Sequence, residues 1–202
     1  MFRLYHRTMA GRPVRVAWAL EEAGAPFELT TLSMDETKLP EHRERHPLGR
    51  VPVLEGTDGV LFESAAVCLH VADSLPDAAL IGAPGSRERA LAYQWVLYSM
   101  TEMEPQFVQL LPHRDTTPEA AEAAKAQLRE RLEVLEGELE GRSFLVGDDF
   151  TIADVVVGSL AADIVGLGLA DGFPAIAAYV QGLQARPARA RAVAAVGLPN
   201  SA

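Results

Sequence analysis

The sequence predicts a small α/β domain followed by an all-helical one. Three observations carry this. Strand and helix signals alternate through roughly the first 75 residues. A stretch with two prolines and two glycines, Pro76 to Gly85, then reads as a linker. Beyond it no convincing strand occurs, and the apolar residues recur at helical spacing.

Taken in order, Phe2-Arg3-Leu4-Tyr5 reads as a short strand. Val14 to Ala23 reads as a helix, with Pro13 suited to its first position and Gly24 to its end. Phe27 to Leu32 is rich in β-branched and aromatic residues and has strand character. Lys38 to Pro47 is polar and interrupted by prolines, so it reads as a loop with at most a short helix. Val51 to Leu54 and Val60 to Phe62 form two strands around a turn at Gly56-Thr57-Asp58-Gly59, and Ser64 to Leu75 closes the unit as a helix. The order is β-α-β-α-β-β-α.

After the linker, Arg87 to Leu111 is a long helical candidate in which Pro105 should kink or end a segment. Glu119 to Glu140 is amphipathic, with Leu128, Leu132, Leu135 and Leu139 in one stripe. Ile152 to Val165 is apolar nearly all round, as a helix buried at a domain centre should be. Pro174 to Ala185 and Ala188 to Ala195 complete the set. The expected limits are a first domain at 1–76, a linker at 77–86 and a helical domain over 87–202.

Composition narrows the class of function. The chain has 202 residues, enough for two modest domains with their own cores, and 49% of them are hydrophobic. A net charge of −10 without any basic run argues against nucleic acid as a partner. No apolar run reaches the roughly 18 residues that cross a bilayer; Val155 to Ala170 comes nearest and is broken by Gly158, Asp163, Gly166 and Gly168. The N-terminal residues show no secretory pattern. A lone cysteine, Cys68, fits a reducing cytoplasm, and with five scattered histidines it makes no metal-ligand cluster. A soluble cytoplasmic protein without a built-in metal is expected.

Three segments carry more than composition. Leu48-Gly49-Arg50-Val51-Pro52-Val53-Leu54 leads to Leu61-Phe62-Glu63-Ser64-Ala65-Ala66-Val67. Val14 to Gly24 is the second, and Phe144-Leu145-Val146-Gly147-Asp148-Asp149-Phe150-Thr151-Ile152-Ala153-Asp154 the third. In this order and spacing they resemble the cytosolic glutathione S-transferase family. The resemblance implies an α+β thioredoxin-like N-terminal domain and an all-α C-terminal helical bundle. It also implies glutathione as co-substrate, a small hydrophobic electrophile as second substrate, a homodimer and a role in detoxification.

The resemblance further implies a cis bond before Pro52, which turns the Val51 N–H and C=O outward to pair with a peptide ligand as an added strand would. Glu63-Ser64 puts a hydroxyl and free N–H groups at a helix start, where the γ-glutamyl carboxylate of glutathione is expected, with Glu63 near its ammonium. Arg50, His42 and Lys38 are the candidates for the glycyl carboxylate. Thr151 and Asp154 form a capping box, which serves folding rather than chemistry.

At the catalytic position the sequence departs from the family pattern. A thiol near 8.5 must move by about two units, or about 2.7 kcal/mol, to be thiolate at neutral pH. The family uses a Tyr, Ser or Cys after the first strand, and the Ser or Cys positions fall here on Ala10, Gly11, Arg12 and Pro13. Three substitutes are available: the Thr8 hydroxyl, the Arg12 charge, and the N–H groups of Ala10 and Gly11 at the helix start. Thr8 with Arg12 is the expected pair, while His6 and Arg7 are read as facing solvent. Tyr98, Met100, Met103, Phe107 and His113 are candidate lining residues for the electrophile. Trp18, Trp95 and Cys68 are read as packing. The same fold also runs glutathione-dependent isomerase, lyase and peroxidase reactions, and some relatives are non-catalytic interaction proteins.

Overall fold

The computed structural model of the chain describes residues 1–8, 11–111 and 115–197. These divide into two compact units: Met1–Ile81 joined by the chain from Gln184 on, and Gly82–Leu183.

The first unit is built on four strands, β1 (Phe2–His6), β2 (Phe27–Thr31), β3 (Val53–Gly56) and β4 (Gly59–Phe62), in the order β2-β1-β3-β4. β1 and β2 are parallel, with Leu4 opposite Leu29, whereas β3 runs antiparallel to both β1 and β4. The parallel pair needs a crossover, which α1 (Arg12–Glu22) supplies. α1 starts after Gly11 with Pro13 in its first turn. It stops at Gly24, whose φ of +63° lets the Ala25 N–H reach back to the Leu20 carbonyl. The polar stretch expected to be mostly loop contains a 3-10 turn, Glu36–Lys38, and one short helix, α2 (Pro40–Arg45). α3 (Ser64–Ser74) closes the expected β-α-β-α-β-β-α order and packs on α1.

Strand alternation gives each face of the sheet its own cover. Tyr5 and Phe62 meet α2 and its end, through ring contacts to His42 and His46 at 6.4 and 4.8 Å. The Tyr5 hydroxyl donates to Glu55 Oε2 at 2.6 Å while the Arg45 guanidinium covers its ring. Leu4 and Leu54, paired in register, are buried to 0% and 2% exposure.

The expected helical domain over 87–202 differs from this grouping at its end. α8 (Pro174–Gln184) is followed by α9 (Pro187–Val196), which packs on α1 and belongs with the first unit. The physical reason is a charged seam. Arg186 donates through Nε and Nη2 to both Glu22 oxygens at 2.6 and 2.8 Å, and Arg191 donates to Glu21 at 2.6 Å. Glu22 also accepts from the Trp18 indole, which is fully buried.

The second unit holds α4 (Arg87–Tyr98), α5 (Glu104–Gln109), α6 (Pro118–Leu139) and α7 (Ile152–Gly166), with most of α8. The single helix expected over 87–111 breaks earlier than Pro105 predicts. A π-helical turn, Ser99–Met103, separates α4 from α5. Pro105 has no N–H to give the Thr101 carbonyl, so the i−4 ladder cannot pass through regularly. Leu128, Leu132, Leu135 and Leu139 of α6 are buried, as their spacing requires. α7 is buried along most of its length and opens on the expected capping box. The Asp154 carboxylate accepts from the N–H groups of Leu145 and Thr151, the Thr151 hydroxyl and the Tyr179 hydroxyl, at 2.8 to 3.2 Å. No helix among the described residues is long and apolar enough to cross a membrane.

Candidate functional site

A helix start exposes N–H groups that nothing inside the helix can satisfy. In the second unit these ends are closed by side chains: Ser86, Thr117 and Thr151 accept from the first turns of α4, α6 and α7. Among the described residues, the starts of α1 and α3 have no such cap, since neither Gly11 nor Glu63 makes a side-chain cap. The N–H groups of Ser64, Ala65 and Ala66 donate to no group among the described residues. Glu63 holds a φ of +68°, a left-handed conformation that costs a non-glycine residue about 1–2 kcal/mol. That geometry leaves the Glu63 side chain exposed while Ser64 is 2% exposed. The open end of α3 is therefore built for an anion, with a carboxylate beside it that can meet a cation.

The second element of the site is main chain. The Val51–Pro52 bond is cis, as the resemblance implies. Val51 precedes β3, and its N–H and C=O have no partner among the described residues. An extended peptide can pair there through two backbone hydrogen bonds.

The turn carrying Val51 is braced from α2. The His42 Nε2 is 2.9 Å from the Arg50 carbonyl oxygen, and His42 is only 2% exposed. His42 is thus a buried brace and not the loop cation that sequence reasoning made it; the helical turn of Pro40–Arg45 turns it inward. Arg50 itself is exposed, and exposed Lys38 is held by Asp35 at 3.1 Å. Gly49 has a φ of +59°, and a Cβ there would stand 2.4 Å from the Thr37 carbonyl oxygen, so the close approach of the two loop segments requires glycine. His46 accepts the Leu48 N–H on Nδ1, and burial pushes its basicity down.

Thr8 is exposed just after β1, and its methyl group lies 3.6 Å from where a Cβ on Gly197 would stand. Arg12 opens α1 and is half-buried. Ala10, whose N–H was a third candidate, lies outside the described residues, as does His113. His6 was expected to face solvent and does not. It is 2% exposed, its Nε2 lies 3.0 Å from the Thr31 hydroxyl, and burial lowers its basicity. Its position at the buried end of β1, paired with β2, explains the difference.

Of the candidate electrophile contacts, Met103 and Phe107 are buried at 0% and 5% exposure and act as core. Tyr98 and Met100 are half-buried, with the Tyr98 hydroxyl donating to the Arg131 carbonyl. Trp18, Trp95 and Cys68 are packing residues, as expected.

Sequence reasoning missed Arg15. This arginine lies in the buried stripe of α1 between Val14 and Val16, and its Nη1 donates to Ser64 Oγ at 3.0 Å. The signal was available, because a charge inside an apolar stripe needs a partner. Among the described residues no His, Cys, Asp and Glu group is placed to hold a metal ion.

Comparison with known proteins concerns the chain as a whole. Residues 1–73 match the family description "Glutathione S-transferase, N-terminal domain", and residues 90–187 match "Glutathione S-transferase, C-terminal domain". The chain is 32% identical to glutathione S-transferase GstA of Escherichia coli O157:H7, over 89% of this chain and 91% of that one. A solved glutathione transferase from Methylococcus capsulatus superposes with a TM-score of 0.89 at 27% identity, covering 98% of this chain and 99% of that one. A sphingomonad glutathione S-transferase solved with glutathione gives a TM-score of 0.86 at 28% identity, covering 98% and 100%.

Proposed function

Since the chain belongs to the glutathione S-transferase family, we propose that it binds glutathione at Val51 and the open end of α3 and conjugates the glutathione thiolate to a small hydrophobic electrophile, forming a carbon–sulfur bond. The observation that carries this reading is the pair of unfilled backbone sites, one in a strand-like edge and one at a helix start, in one unit. The Val51 N–H and C=O pair with the cysteinyl main chain beside Pro52. Ser64 and the first-turn N–H groups of α3 take the γ-glutamyl carboxylate, and Glu63 takes its ammonium. Arg50 and Lys38 face the glycyl carboxylate, while His42 acts through the Arg50 carbonyl.

Thiol activation falls to Thr8 as hydrogen-bond donor and Arg12 as charge, assisted by the open N-terminus of α1. Homodimerisation is supported by β4, whose Val60, Leu61 and Phe62 are 39%, 38% and 40% exposed beside a hollow also lined by His70. A reducing, cytoplasmic setting accords with the free thiol at Cys68, and detoxification is the role this reading of the reaction gives the chain.

The test is the pH profile of kcat/KM for glutathione addition to an aromatic halide. In Thr8→Ala the thiol pKa should rise by about one unit, with about tenfold lower activity at neutral pH. An unchanged profile in both Thr8→Ala and Arg12→Gln removes these residues from the mechanism. Failure of the wild type to bind immobilised glutathione refutes the reading as a whole.

A further inference from the structure

Arg15 is the buried cation nearest the anion end of the site, and no ligand is needed to explain where its side chain goes. It leaves the first turns of α1, crosses to α3, and its Nη1 donates to Ser64 Oγ at 3.0 Å. Both residues are 2% exposed. The joint is doubled by the main chain, since the Arg15 carbonyl accepts from the Cys68 thiol at 3.7 Å, one turn along α3.

The chemistry of the two groups fixes a direction. A guanidinium has only donors, whereas a hydroxyl has one donor and two acceptor positions. In this contact Ser64 Oγ must therefore accept, and its single hydrogen is left to point elsewhere. An uncommitted serine at a helix start can spend that hydrogen on a nearby backbone carbonyl. With Arg15 behind it, the oxygen is pinned and polarised, and the hydrogen is available at the open end of α3, where the N–H groups of Ser64, Ala65 and Ala66 also have no partner among the described residues.

We propose that Arg15 is a positioning residue for the α-carboxylate of the γ-glutamyl group: through its bond to Ser64 it presents that hydroxyl as a donor at the α3 N-terminus. The proposal rests on the assignment of that end to the γ-glutamyl carboxylate. Arg15 touches no ligand in this scheme. Because it sits on α1, it also joins that helix to α3.

The experiment compares two probes by titration calorimetry on the full chain. One is glutathione. The other is 4-aminobutyryl-cysteinylglycine, the same tripeptide with the α-carboxylate replaced by hydrogen. Arg15→Met and Ser64→Ala should each weaken glutathione binding by about tenfold to 100-fold, while leaving the affinity for the decarboxylated probe within about twofold. The double variant should be no weaker than the weaker single one, because both act on one hydroxyl. Circular dichroism verifies folding; should Arg15→Met not fold, Arg15→Gln carries the same comparison.

Equal loss of both probes in a folded Arg15 variant, or no loss of either, overturns the proposal. If Ser64→Ala discriminates between the probes and the Arg15 variants do not, only the role of Arg15 falls. If Ser64→Ala also fails to discriminate, the assignment of the α3 end falls with it.

Discussion

Replacing Asp154 is the most quantitative perturbation the structure offers. Its carboxylate is buried in the second unit and accepts from four donors: the Leu145 N–H, the Thr151 N–H and hydroxyl, and the Tyr179 hydroxyl. In Asp154→Ala the Leu145 N–H, Thr151 N–H and Tyr179 hydroxyl lose their acceptor where Leu145 and Tyr179 are 1% and 3% exposed. A buried donor left without a partner costs about 1–3 kcal/mol. Removing a desolvated charge offsets part of that, so the net loss should be about 3–5 kcal/mol, beyond the usual range for a point change. Asp154→Asn keeps one oxygen for Leu145 and Tyr179 but sets an amide against the Thr151 N–H, and should cost about 1–3 kcal/mol. Urea unfolding followed by circular dichroism reads both, with the alanine midpoint about 1–2 M lower.

The pH dependence has a definite sign. Burial raises the Asp154 pKa, and the hydrogen bonds from Leu145, Thr151 and Tyr179 oppose it only in part. A carboxyl with a raised folded pKa binds its proton more tightly folded than unfolded. Its contribution is therefore complete below the ordinary aspartate value and declines as pH climbs from about 4 through the raised value. That decline should vanish from the stability profile of Asp154→Asn. Alanine within about 0.5 kcal/mol of wild type would refute the reasoning.

Two further outcomes follow from single positions. Gly49→Ala puts a Cβ 2.4 Å from the Thr37 carbonyl oxygen at a φ of +59°, so it should lower stability by about 2 kcal/mol or more and weaken glutathione binding by shifting the turn that carries Val51; denaturant midpoints and calorimetry check the pair. Cys68 is fully buried and its thiol is pushed up to about 12, so at pH 8 about one molecule in ten thousand is thiolate. It should resist a disulfide reagent in the folded protein and react as soon as denaturant unfolds it; rapid labelling of the native chain contradicts its burial.

Much of the fold was legible because its signals are local. Pro13 and Gly24 bound α1, paired glycines mark the β3–β4 hairpin, and the leucine stripe of α6 faces the core. What escaped depends on contacts distant in sequence. The grouping of α9 with α1 comes from Glu22 meeting Arg186, and no periodicity encodes a pair 164 residues apart. His42 and His6 look like loop polar groups until the chain folds over them. The cis bond before Pro52 and the α3 start without a side-chain cap were legible because that backbone geometry goes with the motif. Arg15 could not be assigned a role until its partner across two helices was seen.

The seam between α1 and α9 also bears on how the chain is made. The segment from Gln184 leaves the ribosome about 100 residues after the sheet and α3 are complete, a lag of about 5–20 s at ordinary elongation rates. Throughout that interval Glu21, Glu22 and Trp18 are waiting for Arg191, Arg186 and Arg189. The nascent unit built on β1–β4 therefore emerges with one flank bare, and α9 covers it only after the intervening helices have been made.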